Sequence, residues 1–194
     1  MMNELLLRRR LLMSGQSKGE YVEYPDAYKM VYVLSAQTEL TLFSKQTPTP
    51  TKVIFDGVEV TASKTFTFAA GTHTLYIWLN PWSIPNNYAG QLNSYATPYL
   101  VELRLPTWEN VNVTSTYKEI FNFTPSASLT EITCLSQTPP NFGSGPNRNE
   151  AFRTSTLKKI RVPKEALSDY QTAQNWSATA VKNKLVGVKF DFGE

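Results

Sequence analysis

His73 and Cys134 are the side chains of this sequence with the readiest acid–base and nucleophilic chemistry, and each is the sole residue of its type among 194. A metal site made of several His or Cys ligands cannot be assembled from one of each. Thiol catalysis would need the two to meet as nucleophile and base. Their contexts place them apart: His73 opens the strand-like run His73 to Leu79, whereas Cys134 takes an inward position of a leucine-rich unit, where a thiol behaves as a small hydrophobe. Glu119 and Glu131 could be imagined as a glycosidase-type carboxylate pair, yet acidic residues on a polar face are ordinarily solvated surface. The stretch Asn141-Phe142-Gly143-Ser144-Gly145-Pro146 has no strand-to-helix pattern around it and reads as a surface loop, not a phosphate cradle. The expectation is a chain that is not an enzyme, with no catalytic residue, no metal and no cofactor.

Binding chemistry is better represented. Trp82, Tyr88, Tyr95, Tyr99 and Trp108 fall within one short segment rich in Asn and Pro. Flat rings beside amides can cover the C–H faces of a sugar and bond its hydroxyls, so these five are a candidate ligand surface. The competing reading is an aromatic seam that packs two parts of the chain together, and this is the favoured one. At the N-terminus, the short helix candidate Asn3 to Met13 has apolar stretches split by Arg8, Arg9 and Arg10, and no small-residue cleavage site follows, so it does not read as a signal peptide. It is too short to span a bilayer, and the arginines sweep most of its circumference. It reads as a docking peg: Leu5, Leu6 and Leu12 would bury in a partner or in further copies of the chain, while the three arginines meet carboxylates or phosphates.

These residues hang on a recognisable framework. Leu100-x-x-Leu103-x-Leu105, Leu129-x-x-Ile132-x-Cys134, Leu157-x-x-Ile160-x-Val162 and Leu185-x-x-Val188-x-Phe190 recur at intervals of 28 or 29 residues, the period of a coiled solenoid with one short strand per turn. Within each unit the last two apolar positions share one strand face and the residues between them the other. The outward set is then Glu102, Arg104, Glu131, Thr133, Lys159, Arg161 and Lys189, with Glu131 beside Lys159 and Arg161 beside Lys189. A solvated sheet face is the expectation, an anion-binding stripe the alternative. Pro163 should end the third strand, after which Leu167, Tyr170 and Ala173 at helical spacing, closed by Trp176, would form a capping helix over the open end of the core.

Upstream, short alternating runs at 30–34, 40–43, 53–55, 58–60, 65–68 and 73–79 are bounded by turn residues, and Asp56-Gly57 is a strong type I′ hairpin signal. The fold class expected is mainly β: an N-terminal helix and linker over 1–20, a small antiparallel β-sandwich over 21–80, and a short leucine-rich-repeat solenoid with its C-terminal capping helix over 81–194. A core shared between sandwich and repeats is expected.

Thr138-Pro139-Pro140-x-Phe142, Leu157-Lys158-Lys159-Ile160-Arg161-Val162-Pro163 and Ala166-Leu167-Ser168-Asp169-Tyr170 with Trp176 resemble the terminal unit of BspA-like leucine-rich repeat proteins, over residues 128–188. Phe55 to Val60 and Ala70 to Thr74 are similar to the β module that often precedes such repeats. That resemblance implies a bacterial cell-surface adhesin or glycan-binding module. The opening Met-Asn-Glu-Leu-Leu-Leu-Arg-Arg-Arg is similar to the starts of small proteins carried by tailed phages and prophages of gut bacteria, which implies a virion component: a head fibre, capsid decoration or tail-associated piece. Lack of a signal peptide favours the virion. The partners expected are other virion proteins through residues 1–13, further copies of the chain as a homo-oligomer, and a host surface glycan or protein. A net charge of +3 is too small to make nucleic acid the main partner, and no membrane span is expected.

Overall fold

Asp56 and Gly57 turn the chain with φ of 49° and 82°, both positive as a two-residue type I′ turn requires. They join β4 (Lys52–Phe55) to β5 (Val58–Val60) as an antiparallel hairpin. The structure, a computed structural model, describes residues 19–43, 49–79, 96–107, 128–139, 156–173 and 176–193. The helix expected near the N-terminus lies outside these residues.

The described chain is mainly β. The remaining strands are β1 (Glu20–Tyr21), β2 (Tyr28–Leu34), β3 (Thr38–Thr41), β6 (Thr65–Phe68), β7 (Gly71–Trp78), β8 (Leu100–Leu105), β9 (Glu131–Cys134), β10 (Lys159–Pro163), β11 (Leu185–Val188) and β12 (Phe190–Asp191). Eight of them build one mixed sheet in the order β11-β10-β9-β8-β2-β7-β4-β5. Its β5-to-β8 part is antiparallel and its β8-to-β11 part is parallel. The sheet runs through the boundary expected at residue 80, because β2 pairs with β7 on one side and β8 on the other. One hydrophobic cluster accordingly extends from Tyr32 and Phe68 to Ile160 and Trp176.

On the antiparallel half, β3 and β6 pair as a second layer, with Leu40 opposite Phe66. Phe68 sets its ring 5.3 Å from Tyr32 and edge-on 5.4 Å from Phe55. The alternating pattern that predicts half-buried strands is here the literal contact surface between the layers.

On the parallel half, Leu103, Ile132 and Ile160 stand in register, and Leu100, Leu129 and Leu157 are all buried. The fourth unit departs from the spacing. Leu185, not Val188, lies beside Ile160, and Val186, not Lys189, lies beside Arg161, which removes the like-charge contact expected there. Gly187 lies at this point: a Cβ built on it would meet Leu167 Cδ2 at 3.1 Å and Lys164 Cα at 3.2 Å, so the chain leaving β10 packs closely onto β11 and a larger residue would need its neighbours to give by a few tenths of an ångström. A 3-10 turn (Lys164–Ala166) leads from Pro163 into α1 (Leu167–Thr172), and a short helix α2 (Thr179–Lys182) follows. Tyr170 and Trp176 are fully buried and meet edge-to-face at 4.7 Å, and the Tyr170 hydroxyl donates to the Ser136 carbonyl at 3.0 Å. This segment was expected to cap the open end. It instead crosses between β10 and β11, and β11 becomes the sheet edge.

Candidate functional site

The core takes one face of the sheet, so register fixes what the other face presents: Lys29 on β2, Tyr76 and Trp78 on β7, Glu102 and Arg104 on β8, Glu131 and Thr133 on β9, Lys159 and Arg161 on β10. Residues 20–26 cross this polar face as a strap. At its start, β1 pairs parallel with β12, where Glu20 N donates to the Lys189 carbonyl and Val22 N to the Asp191 carbonyl, both at 2.7 Å. Arg161 grips the same point: its guanidinium donates to both carboxylate oxygens of Glu20, and Nη1 also reaches Glu131 Oε1 at 3.3 Å. These bonds from Arg161 hold the Glu20 carboxyl below its ordinary range.

Further along, Tyr24 adopts a φ of 50°, a conformation uncommon for a side chain of its size, and sets its ring edge-on against Tyr76 at 5.0 Å and Trp78 at 5.3 Å. The Tyr76 hydroxyl donates to Glu23 Oε2 at 3.1 Å, and Trp78 Nε1 donates to Asp26 Oδ2 at 2.8 Å. Burial, with the Glu23 carboxylate adding to it, pushes the Tyr76 phenol up to about 12. Thr107 N closes the strap's far end on the Pro25 carbonyl at 2.8 Å.

Arg104 holds the middle. It is only 9% exposed, its Nη2 donates to the carbonyls of Glu23 and Tyr24 at 2.7 and 2.8 Å, and its guanidinium lies 5.5 Å over the Tyr76 ring. Its Nε is buried without a partner. No carboxylate among the described residues comes within ion-pair distance, and burial lowers the guanidinium's pKa, a tendency that Tyr76, Glu23 and Asp26 oppose.

Between strap and sheet lies a cleft of about 220 Å³. The rings of Tyr21, Tyr76 and Phe190 contribute its apolar surface. Its carboxylates are Glu20, Glu23, Glu102 and Glu131, and its cations are Lys29, Arg104 and Arg161, with Lys159 3.4 Å from Glu131 completing an even balance of charge. Thr133, 8% exposed, also lines it.

Of the residues expected to bind, Tyr99 is half-buried in a 3-10 turn (Thr97–Tyr99) and packs against the core, as a seam residue would. Trp82, Tyr88, Tyr95 and Trp108 lie outside the described residues, as do Leu5, Leu6, Arg8, Arg9, Arg10, Leu12 and Glu119. Glu131 lines the cleft, and Lys159 is beside it as its place in the repeat predicts. His73 is a structural latch: Nδ1 is 2.7 Å from Asp56 Oδ2, Nε2 is 3.1 Å from the Ala69 carbonyl, and the ring stacks on Phe55 at 5.4 Å. Asp56 Oδ1 accepts the Thr74 N–H at 2.8 Å, so the residue that makes the hairpin turn also fixes the histidine. The Cys134 thiol is buried, and burial raises its pKa far enough to keep it protonated. Three strand spacings separate β9 from β7, roughly 14 Å, so Cys134 and His73 do not meet.

Arg104, Tyr76 and the strap are what the sequence reading missed. The available signal was that the outward positions of β7 include Tyr76 and Trp78, large rings that a solvated face rarely carries. Among the described residues no group of three or more His, Cys, Asp and Glu is placed to hold a metal ion, and no helix is long and apolar enough to cross a membrane. No family model, curated protein or solved structure matches the chain.

Proposed function

We propose that this chain is a structural component of a phage virion, a head fibre, capsid decoration or tail-associated piece, assembled in the bacterial cytoplasm and displaying a rigid β unit from an N-terminal anchor. The observation that carries the reading is the clamp at the start of the strap. Glu20 is fixed by Arg161 and by the Lys189 carbonyl, so the chain that follows the leucine- and arginine-bearing segment enters the folded unit at a firmly held residue. Under this reading, Leu5, Leu6 and Leu12 bury in a capsid or tail protein or in further copies of the chain, and Arg8, Arg9 and Arg10 meet acidic groups there.

The parallel half of the sheet fits a short BspA-like leucine-rich-repeat stack, supported by the in-register Leu103, Ile132 and Ile160. No enzymatic activity is part of the proposal. The two residues best suited to covalent or acid–base chemistry are both committed elsewhere, His73 to a turn and Cys134 to the core. A second reading, a bacterial surface adhesin or glycan-binding module, draws support from the ring-lined cleft.

The test is co-sedimentation with purified particles at low and high salt, using the full chain, a variant lacking residues 1–13, and a variant with Arg8, Arg9 and Arg10 changed to Ala. Incorporation should be abolished by the deletion and weakened in a salt-dependent way by the triple substitution. Unchanged incorporation of the deletion variant would place the anchor in the folded unit. Absence of the protein from every particle, with a lipoprotein or outer-surface gene cluster around its gene, would favour the adhesin.

A further inference from the structure

We infer that the cleft beneath the 20–26 strap is a binding site for a neutral, hydroxyl-rich sugar unit. The inference supplies the display reading with a ligand chemistry, and it stands on the cleft's own residues.

Three properties of the lining point the same way. The first is its size and its rings: Tyr21, Tyr76 and Phe190 border a space of about 220 Å³, on the scale of one sugar ring, and since Arg104 lies over the Tyr76 ring and Arg161 over the Phe190 ring, the exposed Tyr21 ring offers the apolar surface for a pyranose C–H face. The second is its charge balance. Glu20 and Glu131 are already engaged by Arg161 and Lys159, while Lys29 and Glu102 approach only to 4.0 Å, so an anion or a cation entering the cleft meets as much like charge as unlike.

The third is the set of bonding positions still open. Glu23 uses Oε2 for the Tyr76 hydroxyl and keeps Oε1, and Glu102 keeps Oε1 as an acceptor. Arg104 keeps its Nη1 donors, since both of its bonds come from Nη2. Thr133 lines the cleft, and its hydroxyl has no hydrogen-bond partner among the described residues. Acceptors on Glu23 and Glu102 and donors on Arg104 and Lys29 therefore line one small space. A hydroxyl donates and accepts at once, so a polyol bridges such pairs where a simple ion cannot.

The experiment is an amide-resolved NMR titration of the full chain with a panel of neutral monosaccharides and oligosaccharides and with sialylated and uronate-bearing counterparts, repeated at two salt concentrations. Binding of a neutral sugar should saturate, should shift amides of residues 20–26, 102–104 and 131–133, and should hardly respond to salt. Thr133→Val removes one polar contact and Glu102→Gln replaces a charged acceptor by a weaker neutral one, and each should weaken that binding by roughly two- to tenfold, the fold-change of one hydrogen bond, with unchanged melting. Arg104→Lys keeps the charge but not the fork and should weaken it at least as much. Absence of any neutral sugar that shifts these amides overturns the inference. So does binding confined to acidic sugars and lost in salt, or full affinity in both Thr133→Val and Glu102→Gln. Because the titration uses pure protein, its failure leaves particle incorporation, and with it the virion reading, as a separate result.

Discussion

Ile160→Ala and Val188→Ala together test the stacking of the parallel strands, because repeat spacing and structure disagree about which residue of the last unit matches Ile160. Ile160 is fully buried, with Ile132 and Leu185 beside it in register. Its truncation removes three carbons, a transfer loss of about 2.4 kcal/mol at about 0.8 kcal/mol each. Neighbours held by the sheet on both sides cannot collapse into the space, which raises the expected loss to about 3–5 kcal/mol. Val188 is half-buried on the edge strand, so losing two carbons there should cost only about 0.5–1 kcal/mol. Leu185→Ala should fall between the two. Were Val188 the true counterpart of Ile160, the two valine and isoleucine truncations would match in scale and Leu185→Ala would follow Leu157→Ala. The assay is urea unfolding of the full chain, read as midpoint shifts at constant slope. A Val188→Ala loss equal to that of Ile160→Ala would refute the register and with it the packing role assigned to Gly187.

Three further outcomes follow from the polar face and the core. Arg104→Met removes two charge-assisted bonds to the strap and should cost about 1–3 kcal/mol, with faster hydrogen exchange and proteolysis over residues 20–26; unchanged exchange there would show that the strap does not depend on Arg104. Because Arg161 depresses the Glu20 carboxyl, the stability this pair contributes is present above the ordinary carboxylate pKa and is lost as pH falls through the lowered one. Glu20 is half-exposed, so the effect should be local: protection factors at residues 20–22, corrected for the pH-dependent intrinsic exchange rate, should fall on acidification in the parent and be already low, without that acid step, in Glu20→Gln. The Cys134 thiol, kept protonated by burial, should resist maleimide labelling until urea unfolds the chain, and prompt labelling of native protein would contradict its place in the core.

Local chemistry made much of the framework legible. Asp56-Gly57 announced its turn because positive φ at both positions narrows the choice of residues, and Leu103, Ile132 and Ile160 announced their stack because burial enforces the same side-chain type at the same spacing. The slip of the last strand was hidden, since a leucine at the expected interval looks the same whether it enters before the strand or within it. The pairing of β11 with β10 decides the matter, and that pairing belongs to the tertiary fold. Arg104 was misjudged for a related reason. Alternation identifies which side of a strand faces away from the core, but not whether another segment covers that side, and here the cover comes from carbonyls about 80 residues earlier.

The pairing of β1 with β12 also has a mechanical meaning. The two strands run parallel, so tension applied to the chain before Glu20 and after Asp191 pulls them past each other along their length. Their hydrogen bonds, together with the Arg161 grip on Glu20, are then loaded in shear and share the force, whereas an antiparallel pair pulled from the same side would open one bond at a time. Gly19 adds to the hold: its Cα passes so near the Lys189 carbonyl that an added Cβ would come within 2.5 Å of that oxygen, leaving little room for slippage. A unit tethered at one end and dragged at the other would bear that load on its two outermost strands before the sheet beneath is disturbed.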